Sequence, residues 1–173
     1  MRALLVSEML DDHRGCTLTE LAVPQPGPGE VRVRVRAAAV NFPDLLMTRG
    51  AYQLKPDLPF TPGLELAGEV DALGDGVTEW QVGDAVLGGN RFGAMAQYAI
   101  VPAAALRAKP ARLSWEEAAA YGVAYLTAWV ALVRCGQVVE GETVLVHGAA
   151  GGVGLATVDL ARALGARVIA AAS

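Results

Sequence analysis

The chain's first hundred residues alternate apolar and polar positions over short spans. Val31-Arg32-Val33-Arg34-Val35-Arg36 alternates without a fault. This predicts a half-buried strand with valines on one face and arginines on the other. A solvated strand face explains those arginines more simply than phosphate binding does. Arg2 to Val6, Leu64 to Leu73, Ala85 to Leu87 and Met95 to Val101 read as further short strands. Glycine pairs at Gly74-Asp75-Gly76, Gly83-Asp84 and Gly88-Gly89 punctuate them, the pattern of a compact β barrel. Pro24, Pro26 and Pro28 forbid helix in the loop before Val31. A short helix is expected from Pro43 to Arg49, with Gly50 as its stop.

After Pro110 the periodicity changes. Ser114-Trp115-Glu116-Glu117 has the form of a capping box, which predicts a helix start. The uncharged run Ala118 to Val133 follows, with a break expected near Gly122 and an end at Gly136. It is shorter than the ~20 residues that span a bilayer, so a buried helix pair is expected and no membrane partner. Thr143 to Val146 reads as a fully apolar strand of a parallel sheet. A glycine-rich turn, a helix from Val153 to Leu164 with Gly165 as stop, and a strand from Arg167 to Ala171 complete one βαβ unit. Two strands and one crossover do not close a core, so the chain reads as the N-terminal part of a longer protein.

Composition narrows the partners. Fourteen basic residues stand among eighteen acidic ones, a net charge of −4. No basic block offers the counterion release that nucleic-acid binding requires. Cys16 and Cys135 make no disulfide framework and fit a reducing, cytoplasmic setting.

The turn Gly148-Ala149-Ala150-Gly151-Gly152-Val153-Gly154 sits between strand and helix. That is the context a dinucleotide fingerprint needs. Glycines let backbone approach a diphosphate, and the helix start offers free N–H groups and a positive dipole end. Gly154 is expected to bring helix and strand close. The pattern departs from the usual one in placing Ala149 at the first glycine position. No acid follows at Ala170-Ala171-Ala172. An NAD-selective unit puts a carboxylate ~20 residues after its first glycine, so NADPH is favoured. His147, beside the turn, is expected to position the loop or cofactor rather than transfer a proton.

The chain resembles the zinc-free NADPH:quinone oxidoreductases (zeta-crystallin-like) of the medium-chain dehydrogenase/reductase superfamily. The resemblance covers the whole chain. It rests on Val40-Asn41-Phe42-Pro43-Asp44, Arg49-Gly50-Ala51-Tyr52, Pro62-Gly63-Leu64-Glu65-Leu66-Ala67-Gly68, Val82-Gly83-Asp84-Ala85-Val86, Thr127 and the glycine turn. It implies an α+β/α/β chain: a GroES-like β-barrel catalytic domain over 1–113, then connecting helices and the start of an incomplete Rossmann NADP-binding domain over 114–173. It also implies an active site in the cleft between two such domains, and a homodimer at full length. Zinc members of the superfamily carry Cys where Asn41 stands and His where Leu64 stands, and neither replacement ligates zinc. His13 and Cys16 have the spacing of a metal pair but lack a second pair, so no metal is expected.

By the same resemblance, Asn41 and Tyr52 serve catalysis near the reacting carbonyl, and Thr127 meets the cofactor near its nicotinamide end. Ala150, Gly151, Gly152 and Val153 hold the pyrophosphate, with Asn41 and Ser173 also at the cofactor. A local cap before the Pro43 helix is the plainer role for Asn41, and a packing aromatic for Tyr52. Asp44 is expected to serve the helix N-terminus. The function implied is NADPH-dependent reduction of quinones or activated C=C and carbonyl compounds. An enoyl-thioester reductase and a catalytically inert GroES-like fragment are the alternatives, and the 173-residue chain alone is expected to be inactive.

Overall fold

Strict alternation builds the middle of the first unit. The protein is a computed structural model that describes residues 1–172. It divides into two units, Met1–Ala120 and the residues from Tyr121 onward. The first unit contains β1 (Arg2–Val6), β2 (Cys16–Glu20), β3 (Glu30–Ala38), α1 (Phe42–Thr48), β4 (Glu65–Leu73), β5 (Ala85–Gly89), β6 (Tyr98–Pro102), β7 (Arg107–Ala108) and α2 (Trp115–Ala119). Five of its strands form an antiparallel sheet in the order β6-β3-β4-β5-β7. β1 and β2 pair antiparallel beside it, joined to the rest through bridges at Ala3–Ala96 and Val6–Phe60.

The valines of β3 point inward as expected. Val31 and Val33 join Leu66, Val70, Val86, Val101 and Leu106 in the main core. The arginines of β3 face outward, but as ion pairs rather than solvated singles. Arg32 reaches Asp71 at 2.6 Å, while Arg34 and Arg36 both reach Glu69, at 2.5 and 3.0 Å. The antiparallel register sets Arg34 directly opposite Glu69, and opposite charges across a strand pair attract.

Ser114 caps α2 as the sequence predicts: its Oγ accepts from Glu117 N–H, and the Glu117 carboxylate accepts from Ser114 N–H. Ala118 and Ala119 pack with Ala67 of the sheet. The first unit therefore runs past the 113/114 boundary expected from the sequence.

The second unit holds α3 (Gly122–Trp129), a π-helical segment (Val130–Cys135), β8 (Thr143–His147), α4 (Gly152–Ala163) and β9 (Arg167–Ala171). β8 and β9 pair in parallel and α4 crosses between them, as expected. The run Ala118 to Val133 does break before Gly122, but it is not a buried pair. Leu126 is 63% exposed and Trp129 42%. Within its unit α3 packs against α4, which covers the Ala128 side and leaves the apolar side chains opposite uncovered. Among the described residues, no helix is long and apolar enough to cross a membrane.

Candidate active site

Asn41 is the residue before the first turn of α1, in extended backbone geometry. Pro43 sits inside that turn, where its missing N–H costs nothing. Asn41 N–H donates to Asp44 Oδ2 at 2.8 Å. The other oxygen, Asp44 Oδ1, accepts from Gly63 N–H at 3.0 Å. Asp44 thus serves the helix N-terminus as expected, and it also ties that terminus to the segment leading into β4. Burial pushes its carboxyl above the ordinary range, and the Asn41 and Gly63 N–H groups oppose that shift in part.

The Asn41 side chain is engaged too. Its Nδ2 donates to Glu65 Oε1 at 2.9 Å, and Glu65 is only 4% exposed. One amide proton is spent on that bond, and the carboxamide also takes part in the capping box of α1; the second Nδ2–H remains to meet a ligand. Beside Asn41, Val40 and Phe42 stand exposed, and Leu45 is partly so. Tyr52 packs its half-buried ring against the cluster of Val6, Met47 and Phe60. This is the packing role weighed for it, and it leaves the phenol oxygen without a hydrogen-bond partner among the described residues.

His13 and Cys16 both engage Thr48 at the end of α1. His13 Nδ1 lies 2.7 Å from Thr48 Oγ1, and the Cys16 thiol bonds the same residue while burial pushes its pKa up. Among the described residues, no three His, Cys, Asp or Glu side chains gather as a metal-binding group.

The second unit carries the glycine turn. Gly148 adopts φ +66° and its carbonyl accepts from Gly151 N–H at 3.0 Å, folding the turn tightly. Ala149 is buried and donates its N–H to Ala171 O at the end of β9. The residue at the first glycine position is therefore structural. Ala150, Gly151, Gly152 and Val153 are all exposed. Gly151 caps α4 without a side chain, and no acid stands in the first turn. The opening N–H groups of a helix have no acceptor within it, and among the described residues no side chain caps this one. A methyl group on Gly152 would meet nothing within 4 Å, whereas one on Gly154 would fall 2.2 Å from Gly148 O. Open backbone donors in front and tight packing behind fit a diphosphate group.

Thr127 lies on α3, exposed, with its Oγ1 donating to Val123 O at 2.7 Å. α3 packs on α4, and Tyr125 OH donates to Asp159 at 2.8 Å between the two helices. Thr127 and the turn thus belong to one unit, Asn41 and Tyr52 to the other. His147 is exposed at the end of β8. Ser173 lies outside the described residues. Sequence reasoning missed Glu65. A lone carboxylate in Leu64-Glu65-Leu66-Ala67 reads as an ordinary strand residue, and only its near-complete burial marks it out.

Comparison with known proteins finds likenesses over the whole chain. Residues 27–111 match the alcohol dehydrogenase GroES-like domain. The human quinone oxidoreductase is 38% identical over 173 residues, covering 99% of this chain and 53% of the relative. The quinone oxidoreductase from Thermus thermophilus, solved also in complex with NADPH, is 40% identical with a TM-score of 0.87; the match covers 100% of this chain and 54% of that one. The CurK enoyl reductase is 32% identical with a TM-score of 0.89, covering 99% and 54%. The chain spans about half the length of the relatives it matches.

Proposed function

The chain belongs to the alcohol dehydrogenase GroES-like family within the medium-chain dehydrogenase/reductase superfamily, and from that premise we propose that it forms part of an NADPH-dependent, zinc-independent reductase of quinones or related activated carbonyl compounds. The observation that carries the reading is the exposed turn Ala150-Gly151-Gly152-Val153, whose helix start has no side-chain cap and no first-turn acid. Backbone N–H groups there hold the diphosphate, and Thr127 meets the nicotinamide end. The absence of an acid at Ala170 to Ala172 favours the 2′-phosphate of NADPH over NAD.

NADPH, when bound, supplies the hydride. The remaining work is electrostatic. As hydride adds to the substrate, negative charge grows on its carbonyl oxygen, and fixed donors lower that barrier. The second Nδ2–H of Asn41 and the hydroxyl of Tyr52 are the donors this chain offers in its first unit. Exposed Val40, Phe42 and Leu45 flank Asn41 with apolar surface suited to a flat organic substrate. Asn41 and Leu64 stand in place of zinc ligands, so these donors replace a Lewis acid. Unpaired Cys16 and Cys135 suit a reducing, cytoplasmic setting. A homodimer at full length completes the reading.

The likeness to an enoyl reductase supports a second reading, in which an enoyl thioester takes the quinone's place with the same donors. Following NADPH oxidation by the full-length protein, with a benzoquinone and with a crotonyl thioester, tests both. Turnover of the quinone alone supports the first reading, and turnover of the thioester alone replaces it with the second. No oxidation of NADPH by either overturns both.

A further inference from the structure

We propose that Glu65 is a positioning residue for Asn41: its buried carboxyl group decides which end of the Asn41 carboxamide faces outward. The inference rests on the reading that Asn41 meets the reacting groups, and it adds a residue to that site.

An asparagine carboxamide presents two ends of nearly equal shape, so an unconstrained one samples both orientations. Glu65 Oε1 removes that freedom by accepting from Asn41 Nδ2 at 2.9 Å. The flipped amide would set Oδ1 against the carboxyl oxygen, oxygen facing oxygen, at a place where Glu65 is 4% exposed and water is scarce. Nδ2 is therefore held toward Glu65, and its second N–H always keeps the same orientation.

The mount beneath is equally constrained. Asn41 N–H is fixed by Asp44 Oδ2 and Gly63 N–H by Asp44 Oδ1. Gly63 lies two residues before Glu65, with φ +107° and Met95 N only 2.7 Å from where a Cβ would stand. Asn41, Asp44, Gly63 and Glu65 thus close a ring of hydrogen bonds and backbone that joins the start of α1 to the start of β4. Such a ring holds a donor in place before the reaction begins, which is what charge stabilisation in a transition state requires.

The test is a double-mutant cycle in the full-length protein, with NADPH and a benzoquinone as probes. E65L removes the acceptor at similar volume. It is expected to lower kcat by about 10–100-fold and to move KM for NADPH by less than about twofold. In an N41A background the same E65L change is expected to cost less than about threefold, because the group it acts through is gone. E65Q, which restores an oxygen acceptor, is expected to recover kcat to within about threefold of the parent. Equal losses from E65L in both backgrounds overturn the inference, as does an E65Q protein as impaired as E65L; E65Q also carries the test should E65L not fold. Undiminished kcat in N41A overturns the role given to Asn41 instead. NMR separates the two failures. The Asn41 side-chain N–H₂ signals are expected to keep their parental positions in E65Q and to move in E65L toward those of an unbonded carboxamide. That movement together with an unimpaired N41A leaves Glu65 holding Asn41 but denies Asn41 its role. Signals unmoved in E65L deny the hold itself.

Discussion

Gly154 and Gly152 share one helical turn, yet a methyl group on each should do opposite things. At Gly154 the added Cβ would lie 2.2 Å from Gly148 O and 2.8 Å from Ala149 Cα. Both neighbours are main chain and cannot swing aside. Relief requires the turn to move by about 1 Å, and overpacking of this kind costs about 1–3 kcal/mol. Alanine's better helix propensity returns up to about 1 kcal/mol. The net for G154A is a loss of about 1–2 kcal/mol, roughly a 5- to 30-fold change in the folding equilibrium. At Gly152 the Cβ meets nothing within 4 Å, so G152A should change stability by less than about 0.5 kcal/mol. Its methyl group, however, stands where backbone must approach a phosphate, and NADPH affinity should fall by about tenfold or more. Urea unfolding followed by circular dichroism reads the first effect, and fluorescence titration with NADPH reads the second. A G154A protein as stable as the parent refutes the packing of the turn. A G152A protein with unchanged NADPH affinity refutes the turn as the diphosphate site.

Two carboxylates should give stability opposite dependences on pH. Asp44 holds its proton more tightly when folded, so its contribution is greatest in acid and declines as pH rises from the ordinary value of 3.8 through its raised one. The stability gap between the parent and D44N should therefore narrow as pH rises across that window, and a widening gap contradicts the assignment. Glu69 is held below its ordinary value of 4.5 by Arg34 and Arg36. The gap between the parent and E69Q should be present above that value and disappear as pH falls through the lowered one, by the same denaturation measurement. L66A empties a fully buried core site and should cost about 2–5 kcal/mol in chemical denaturation; a loss below about 1 kcal/mol would mean the sheet's core is not closed there.

The elements legible in the sequence are those whose chemistry is local. The Val31 to Arg36 alternation, the Ser114 to Glu117 box and the strand–turn–helix around Gly151 each declare themselves within a few residues, and each lies where expected. Strand β2 is not legible because Cys16-Thr17-Leu18-Thr19-Glu20 is short and mostly exposed, so no apolar face advertises it. β7, at two residues, is too short for any pattern. Exposure of Leu126 and Trp129 could not be read from apolarity, which says what a helix prefers to bury and not which neighbour covers it. Glu65 is hidden for another reason: it lies 24 residues from Asn41, and only the fold brings the pair together.

The most direct test of the account is an amide NMR titration of the isotope-labelled full-length protein with NADPH. The backbone N–H signals of Ala150, Gly151, Gly152 and Val153 are predicted to shift with saturation while those of buried β3 residues such as Val33 stay still. Turn signals unmoved at saturating NADPH would contradict the claim that this exposed, uncapped helix start binds the cofactor's diphosphate.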